Sequence, residues 1–230
     1  MDEELTTEQT REYQSVLKKR AERIPLQYIT GEQEFMGLTF HVNNNVLIPR
    51  QDTETLVEEA LKIIEPGMKV LDMCTGSGCI IISILKNTTD VTGYACDISK
   101  HAINVAKENA KINNVFVDFE RSDLFEKIND KFDVIVSNPP YIRSEEIPHL
   151  MPEVARFEPM EALDGKEDGL DFYRKIIDEA YAGDIIGVFD PGIFSIGDTL
   201  CLSNKKFQYE GIPTFAPEHF ARVRQLDTMK

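Results

Sequence analysis

The chain has 230 residues, 42% of them hydrophobic, enough for one ordinary domain with a real core. It carries 25 Lys and Arg against 40 Asp and Glu, a net charge of −15, which argues against direct nucleic-acid binding, where cationic side chains must neutralise phosphates. Four cysteines (Cys74, Cys79, Cys96, Cys201) follow neither zinc-site nor secreted-framework spacing, and no apolar run nears the ~18 residues of a membrane helix.

Residues 7–23 predict a charged helix N-capped by Thr6, with Gln9 completing a capping box and Pro25 ending it. Gln33 to Val42 has β character, and Gly37 marks a hairpin turn or a bulge within it. Asn43-Asn44-Asn45 reads as a turn. Residues 52–64 predict an amphipathic helix with Leu56, Ala60, Ile63 and Ile64 on one face. The pattern then becomes a regular alternation. Strands are expected at 68–73, 91–96, 115–119 and 132–137, with helices at 78–86 and from an N-cap at Ser99 to about Lys111. Such alternation implies an α/β fold, a parallel sheet with helices on both faces. Residues 143–169 read as loop, with Pro148, Pro152 and Pro159, and a helix is expected from Leu170 to about Ala182. From Asp184 the style shifts to short strands and turns, a β-rich tail. The M-D-E-E-L opening has no basic segment followed by an apolar run, so no signal peptide is expected and the default location is a reducing cytoplasm.

The chemistry sits at strand ends. The first strand of the alternation runs into V-L-D-M-C-T-G-S-G-C-I, residues 70–80. Gly76 and Gly78 allow a tight turn and a close backbone approach to a ligand, and the following helix offers free N–H groups. It is a poor dinucleotide fingerprint, because the third glycine position holds Ile81, and no Walker lysine is present. Asp97 ends the second strand, 19 residues after Gly78; it can accept from both hydroxyls of a ribose, or cap the helix that opens at Ser99. Asp123-Leu124 either faces an adenine ring or is plain loop. The fourth strand stops at Asn138-Pro139-Pro140, since proline cannot donate a ladder hydrogen bond. Asn138 is either an ordinary polar turn or an amide presented at a strand tip. In a doubly wound sheet the order reverses beside the first strand, so these residues, up to 62 apart in sequence, would line one crevice.

V-L-D-M-C-T-G-S-G, C-D-I-S and S-N-P-P-Y-I together resemble a class I S-adenosylmethionine-dependent methyltransferase of Rossmann-like fold. P-L-Q-Y-I-T-G-E-Q-E-F (25–35), L-I-P-R-Q-D-T-E-T-L-V (47–57) and E-P-M-E-A-L-D-G-K-E-D-G-L-D-F-Y-R (158–174) narrow the resemblance to the HemK/PrmC family, over about residues 12–181. The resemblance implies methylation of the side-chain nitrogen of a glutamine in the Gly-Gly-Gln loop of class I peptide chain release factors, with S-adenosylmethionine as methyl donor. It implies that Cys74, Thr75, Gly76, Ser77 and Gly78 wrap the cofactor, that Asp97 holds its ribose, and that Asp123 and Leu124 lie by the adenine. Asn138, Pro139, Pro140 and Tyr141 would grip the target glutamine, with Asn138 also beside the cofactor. No metal, membrane or direct nucleic-acid partner is implied. Arg50 and Glu54 are secondary candidates that a salt-bridged helix start explains equally well. An adenine-N6 nucleic-acid methyltransferase would also use Asn-Pro-Pro-Tyr on an exocyclic amine, but the charge of −15 opposes it. A non-catalytic protein that keeps the cofactor fold is the third reading.

The chain also departs from the family. Residues 1–45 hold one helix and a hairpin where the family has several helices. Residues 46–181 are read as the methyltransferase domain, cut short after its fourth strand. Residues 182–230 resemble part of peptide chain release factor three, a translational GTPase, without its phosphate loop, which implies a joint near Glu179 to Gly183. The fourth strand would then be an exposed edge, with weak cofactor binding and little turnover, unless D-I-I-G-V-F (184–189) pairs there.

Overall fold

In a computed structural model of the chain, residues 6–179 and 185–188 are described. A five-stranded parallel sheet has the order β5-β4-β3-β6-β7, formed by β3 (Lys69–Met73), β4 (Thr92–Asp97), β5 (Asp118–Arg121), β6 (Val134–Ser137) and β7 (Ile185–Val188). The order reverses beside β3, as the alternation implied, with β4 on one side and β6 on the other. Side chains alternate across β3. Val70 joins the cluster made with α3 (Glu54–Ile63) and α4 (Cys79–Asn87), whereas Leu71 and Met73 face Ile176 of α8 (Asp171–Glu179). α4 reads Cys79-Ile80-Ile81-Ile82-Ser83-Ile84 and buries every one of these. Isoleucine is only a moderate helix former, so packing rather than propensity holds this helix.

Ahead of the sheet, α1 (Thr7–Ala21) carries the expected capping box between Thr6 and Gln9. It stops before Pro25, because Arg23 turns left-handed at φ 71° and the Ile24 N–H reaches back to the Lys19 carbonyl. Pro25 instead opens a five-residue helix, α2 (Leu26–Thr30), absent from the sequence reading. β1 (Glu32–Phe35) and β2 (Leu38–His41) pair through a two-residue turn at Met36-Gly37, both at positive φ, so Gly37 is a hairpin turn and not a bulge. The hairpin is pinned to α5 (Lys100–Ile112) by fully buried Asn109. Its amide accepts from His41 N at 2.7 Å and donates to the carbonyls of His41 and Ser77.

Several expectations need correction. In α3 the buried face is Leu56, Val57 and Ala60, and Ile63 at the last turn stays exposed. β5 begins at Asp118, because the N–H groups of Asn113 to Val115 are used closing the end of α5. The segment read as loop contains α6 (Pro152–Phe157) and α7 (Met160–Leu163), with Pro152 at the first helical position and Pro159 as N-cap; proline starts these helices. β6 is not an exposed edge. β7 pairs with it in parallel over four residues, Val134 opposite Ile185 through Ser137 opposite Val188, so the I-I-G-V core of that run (185–188) takes the neighbouring place. The remainder of the β-rich tail, residues 189–230, lies outside the described residues.

Candidate active site

The turn after β3 is wound left-handed at three of five positions: Cys74 at φ 61°, Gly76 at 55° and Gly78 at 81°. Glycine adopts this without penalty, whereas a cysteine there stores on the order of 1–2 kcal/mol. The turn is tied down from beneath. Asp72, fully buried, accepts from the Thr75 hydroxyl at 2.6 Å and from Ile81 N, while its Oδ1 has no partner. Burial pushes the Asp72 carboxyl up to about 7, against the two hydrogen bonds. From above, Thr75 N donates to the Cys96 carbonyl at 3.0 Å.

Asp97 ties the glycine turn to the start of α5. Oδ2 accepts from Gly76 N and Oδ1 from Ser99 N, each at 2.9 Å. Ser99 itself caps α5 through its hydroxyl, which accepts from Ala102 N. Burial raises the Asp97 carboxyl above its ordinary value; the two backbone N–H groups work against this. Each carboxylate oxygen keeps a free lone pair, since two oxygens offer about four acceptor sites. Across β4, Leu124 is at φ 47° and half-buried, beside exposed Asp123.

At the end of β6, the Ser137 hydroxyl donates to the Met73 carbonyl at 2.7 Å, which locks the two strand tips together. Asn138 Nδ2 donates to the Thr53 hydroxyl at 3.4 Å. Its Oδ1 is buried and has no partner. Thr53 N in turn donates to the Arg50 carbonyl. Arg50 pairs with Glu158 at 2.6 Å, and the Glu158 carboxylate is 1% exposed. Burial raises Glu158 although Arg50 opposes it. Burial likewise raises the Tyr141 phenol, with Arg50 lowering it and Asp52 and Glu158 raising it. Glu54, the other secondary candidate, accepts from Met36 N at 2.7 Å and so serves the hairpin.

One cavity of about 230 Å³ gathers these pieces. Cys74, Thr75, Gly76, Ser77, Asp97, Asp123, Leu124, Asn138 and Pro140 line it. Gly78, Pro139 and Tyr141 do not. Gly78 is where α4 and α5 approach: a Cβ there would sit 3.0 Å from Ile82 and 3.1 Å from Ala106. Pro139 is buried behind the strand tip. Further lining comes from Thr53, Ser122, residues of 159–166 within the segment expected as loop, and Phe172 at the start of the helix expected from Leu170. The glycines of that loop segment, Gly165 and Gly169, were the available signal. Four carboxylates line the cavity (Asp97, Asp123, Glu161, Asp164) against two cations, Arg50 and Lys166, each paired with an acid. The electrostatics favour a cationic ligand. Cys79 and Cys96 are buried, with thiols pushed up to about 12 by burial, so they are inert at neutral pH.

Two stretches of the chain match known protein families. Residues 51–155 match the methyltransferase small domain and residues 1–31 match the PrmC N-terminal domain. A release factor glutamine methyltransferase of Lactococcus lactis is 42% identical over 181 residues, covering 78% of this chain and 67% of that protein. The chain belongs to the release factor glutamine methyltransferase family. The family member of Clostridium acetobutylicum is 49% identical over 180 residues, and that of Thermodesulfovibrio yellowstonii 44% over 183. The match spans 63% and 66% of the length of these two relatives. Among solved structures, the hMettl16 catalytic domain in complex with the MAT2A 3′UTR hairpin 6 superposes with a TM-score of 0.50 at 18% identity, over 63% of this chain and 56% of that one. This likeness shows the class I, Rossmann-like methyltransferase fold alone. Among the described residues, no helix is long and apolar enough to cross a membrane, and no group of three acidic, His or Cys side chains is placed to hold a metal ion.

Proposed function

We propose that the chain transfers a methyl group from S-adenosylmethionine to the side-chain amide nitrogen of the glutamine in the Gly-Gly-Gln loop of class I peptide chain release factors. The observation that carries this is the buried, unpartnered Asn138 Oδ1 at the tip of β6, facing a carboxylate-rich cavity. An unmet buried acceptor costs about 1–3 kcal/mol, and a donor arriving with the substrate relieves it. The cavity fits the cofactor. Asp97 retains acceptor capacity for a ribose, Leu124 and Phe172 supply apolar surface, and the acidic lining suits a cation. Cys74, Thr75, Gly76 and Ser77 line it, with Gly78 setting the turn behind them. When bound, the cofactor supplies an electrophilic methyl carbon on a positively charged sulfur.

The acceptor's difficulty is that an amide lone pair is delocalised into its carbonyl. Asn138 Oδ1 and the carbonyl of Pro139 or Pro140 accept from the target NH₂. They fix the direction of the nitrogen and raise its electron density. Thr53 and Ser137 hold Asn138 and the strand tip in place. Tyr141 packs at the clamp's outer end. Orientation of this kind supplies up to ~7–11 kcal/mol of a barrier in ideal cases. No tuned base is needed, because an N-methylated amide cation sheds its proton to water.

The domain organisation is part of the same reading. Residues 1–45 belong with the N-terminal domain, a reading that the match of residues 1–31 supports, and 46–181 with the methyltransferase domain. Residues 182–230 are a segment of different origin, similar to part of peptide chain release factor three, whose first residues supply β7. A bacterial-type cytoplasmic location follows from the substrate. The net charge of −15 disfavours the adenine-methylating alternative. The test is to incubate the purified chain, or its Asn138→Ala variant, with a release factor and cofactor, and to read the glutamine-bearing peptide by mass spectrometry. The wild-type chain adds one methyl group, and Asn138→Ala transfers at least a hundredfold more slowly while still binding the cofactor. A wild-type chain that leaves the peptide unmodified, or an Asn138→Ala variant with full activity, refutes the reading.

A further inference from the structure

The clamp residues are not held by β6 alone. Beyond Asn138-Pro139-Pro140 the chain runs as a strap, Tyr141 to Ser144, and a second segment, Leu163 to Gly169, lies along it. Ile142 N donates to the Leu163 carbonyl at 3.0 Å, Gly165 N to the Ile142 carbonyl at 2.8 Å, and Ser144 N to the Lys166 carbonyl at 3.0 Å. The Ser144 hydroxyl adds a bond to Asp164 at 2.6 Å. Ile142 and Asp164 form a parallel bridge.

The seam is closer than side chains permit. A Cβ on Gly165 would stand 2.6 Å from Tyr141 Cα and 2.8 Å from its carbonyl carbon. One on Gly169 would stand 2.4 Å from the Tyr141 carbonyl oxygen. Both clashes are with backbone, which cannot swing away as a flexible side chain does. Ordinary contact begins near 3.4 Å, so relief at Gly165 requires Tyr141 to move by about 1 Å. The same stretch continues into Phe172, which lines the cavity.

We infer that Gly165 and Gly169 are positioning residues for methyl transfer: their missing side chains set the distance of the Tyr141 backbone, and through it the placement of Pro140 and Asn138 against the cavity. This rests on the reading of Asn138 to Tyr141 as the acceptor clamp. The two glycines differ usefully. Gly169 needs its left-handed φ of 78° as well as the space. Gly165 lies outside that region, so alanine there adds bulk without backbone strain.

The experiment compares the full chain with Gly165→Ala and with Ser144→Ala, which removes only the hydroxyl bond from the seam. Amide hydrogen exchange is read by mass spectrometry, cofactor affinity by calorimetry, and kcat and KM from methyl transfer to a release factor. Gly165→Ala exchanges faster across residues 141–144, while residues 74–79 and cofactor affinity stay unchanged. Its kcat falls about a hundredfold, the scale expected for a 1 Å misplacement. Ser144→Ala shows the same change in exchange to a smaller degree. Wild-type exchange at 141–144 in both variants overturns the inference. So does loss of cofactor binding in step with turnover, which marks a general packing role. If the wild-type chain methylates no release factor, the proposed substrate fails, while the exchange and affinity arms still decide what the glycines hold.

Discussion

Replacing Asp72 with asparagine tests whether the glycine turn is built over a carboxyl that is neutral at low pH. Asp72 is 0% exposed, and its pKa is carried from 3.8 to about 7, chiefly by burial. At about 1.36 kcal/mol per tenfold change in proton affinity, that corresponds to roughly 4 kcal/mol between the limiting protonation states. The folded pKa lies above the unfolded one, so the folded chain holds the extra proton across the window from about 4 to 7. Stability therefore falls as pH rises through that window and is flat above it. Between pH 5 and pH 8 the loss from this group is roughly 2.5 kcal/mol. Asparagine keeps an oxygen to accept from Thr75 and Ile81 and has no charge to bury. Asp97 and Glu158 are also raised and add losses of the same sign, but they are common to both proteins. Urea unfolding at pH 5, 6, 7 and 8 should thus show the variant gaining on the wild type by roughly 2.5 kcal/mol from the first pH to the last. Parallel stability curves would refute the assignment of a buried proton to Asp72.

Three further outcomes follow from the same contacts. Asp97→Asn weakens cofactor binding in calorimetry by about 10- to 100-fold, since hydrogen bonds to a charged group contribute about 1.5–3 kcal/mol; unchanged affinity would exclude Asp97 from the cofactor site. Arg50→Leu strands the Glu158 carboxylate, 1% exposed, and lowers stability by about 3 kcal/mol at neutral pH, less in acid where the carboxyl protonates; equal losses at pH 5 and pH 8 would contradict this. A chain ending at Phe189 should melt higher than one ending at Glu179 by several degrees, because only the longer one keeps the four-residue β6–β7 ladder; identical melting would deny β7 a part in the sheet.

Much of the site was legible because its chemistry is written in short runs. The sequence showed Asp97 at a strand end but not that its two oxygens would bridge Gly76 N and Ser99 N, which only the fold brings together. Prolines 152 and 159 misled, since the same residue ends one helix and starts another. Tyr141 lies outside the cavity lining, and the close approach of its backbone to Gly165 and Gly169 is a contact that no sequence pattern announced.

By itself the sequence determined the alternation of strands and helices, the position of the crevice at the strand ends, and the residue types that meet there. These follow from local periodicity and from the fixed handedness of parallel crossovers. Only the tertiary structure decided which groups are left without partners and which backbones touch. Asn138 Oδ1 and Asp72 Oδ1 are orphans because strands from distant parts of the chain bury them, and no local pattern records what fails to arrive. Likewise β7 pairs beside β6, although Ile185 lies 48 positions after Ser137 in the chain, because an unpaired strand edge is satisfied by whatever apolar segment can reach it.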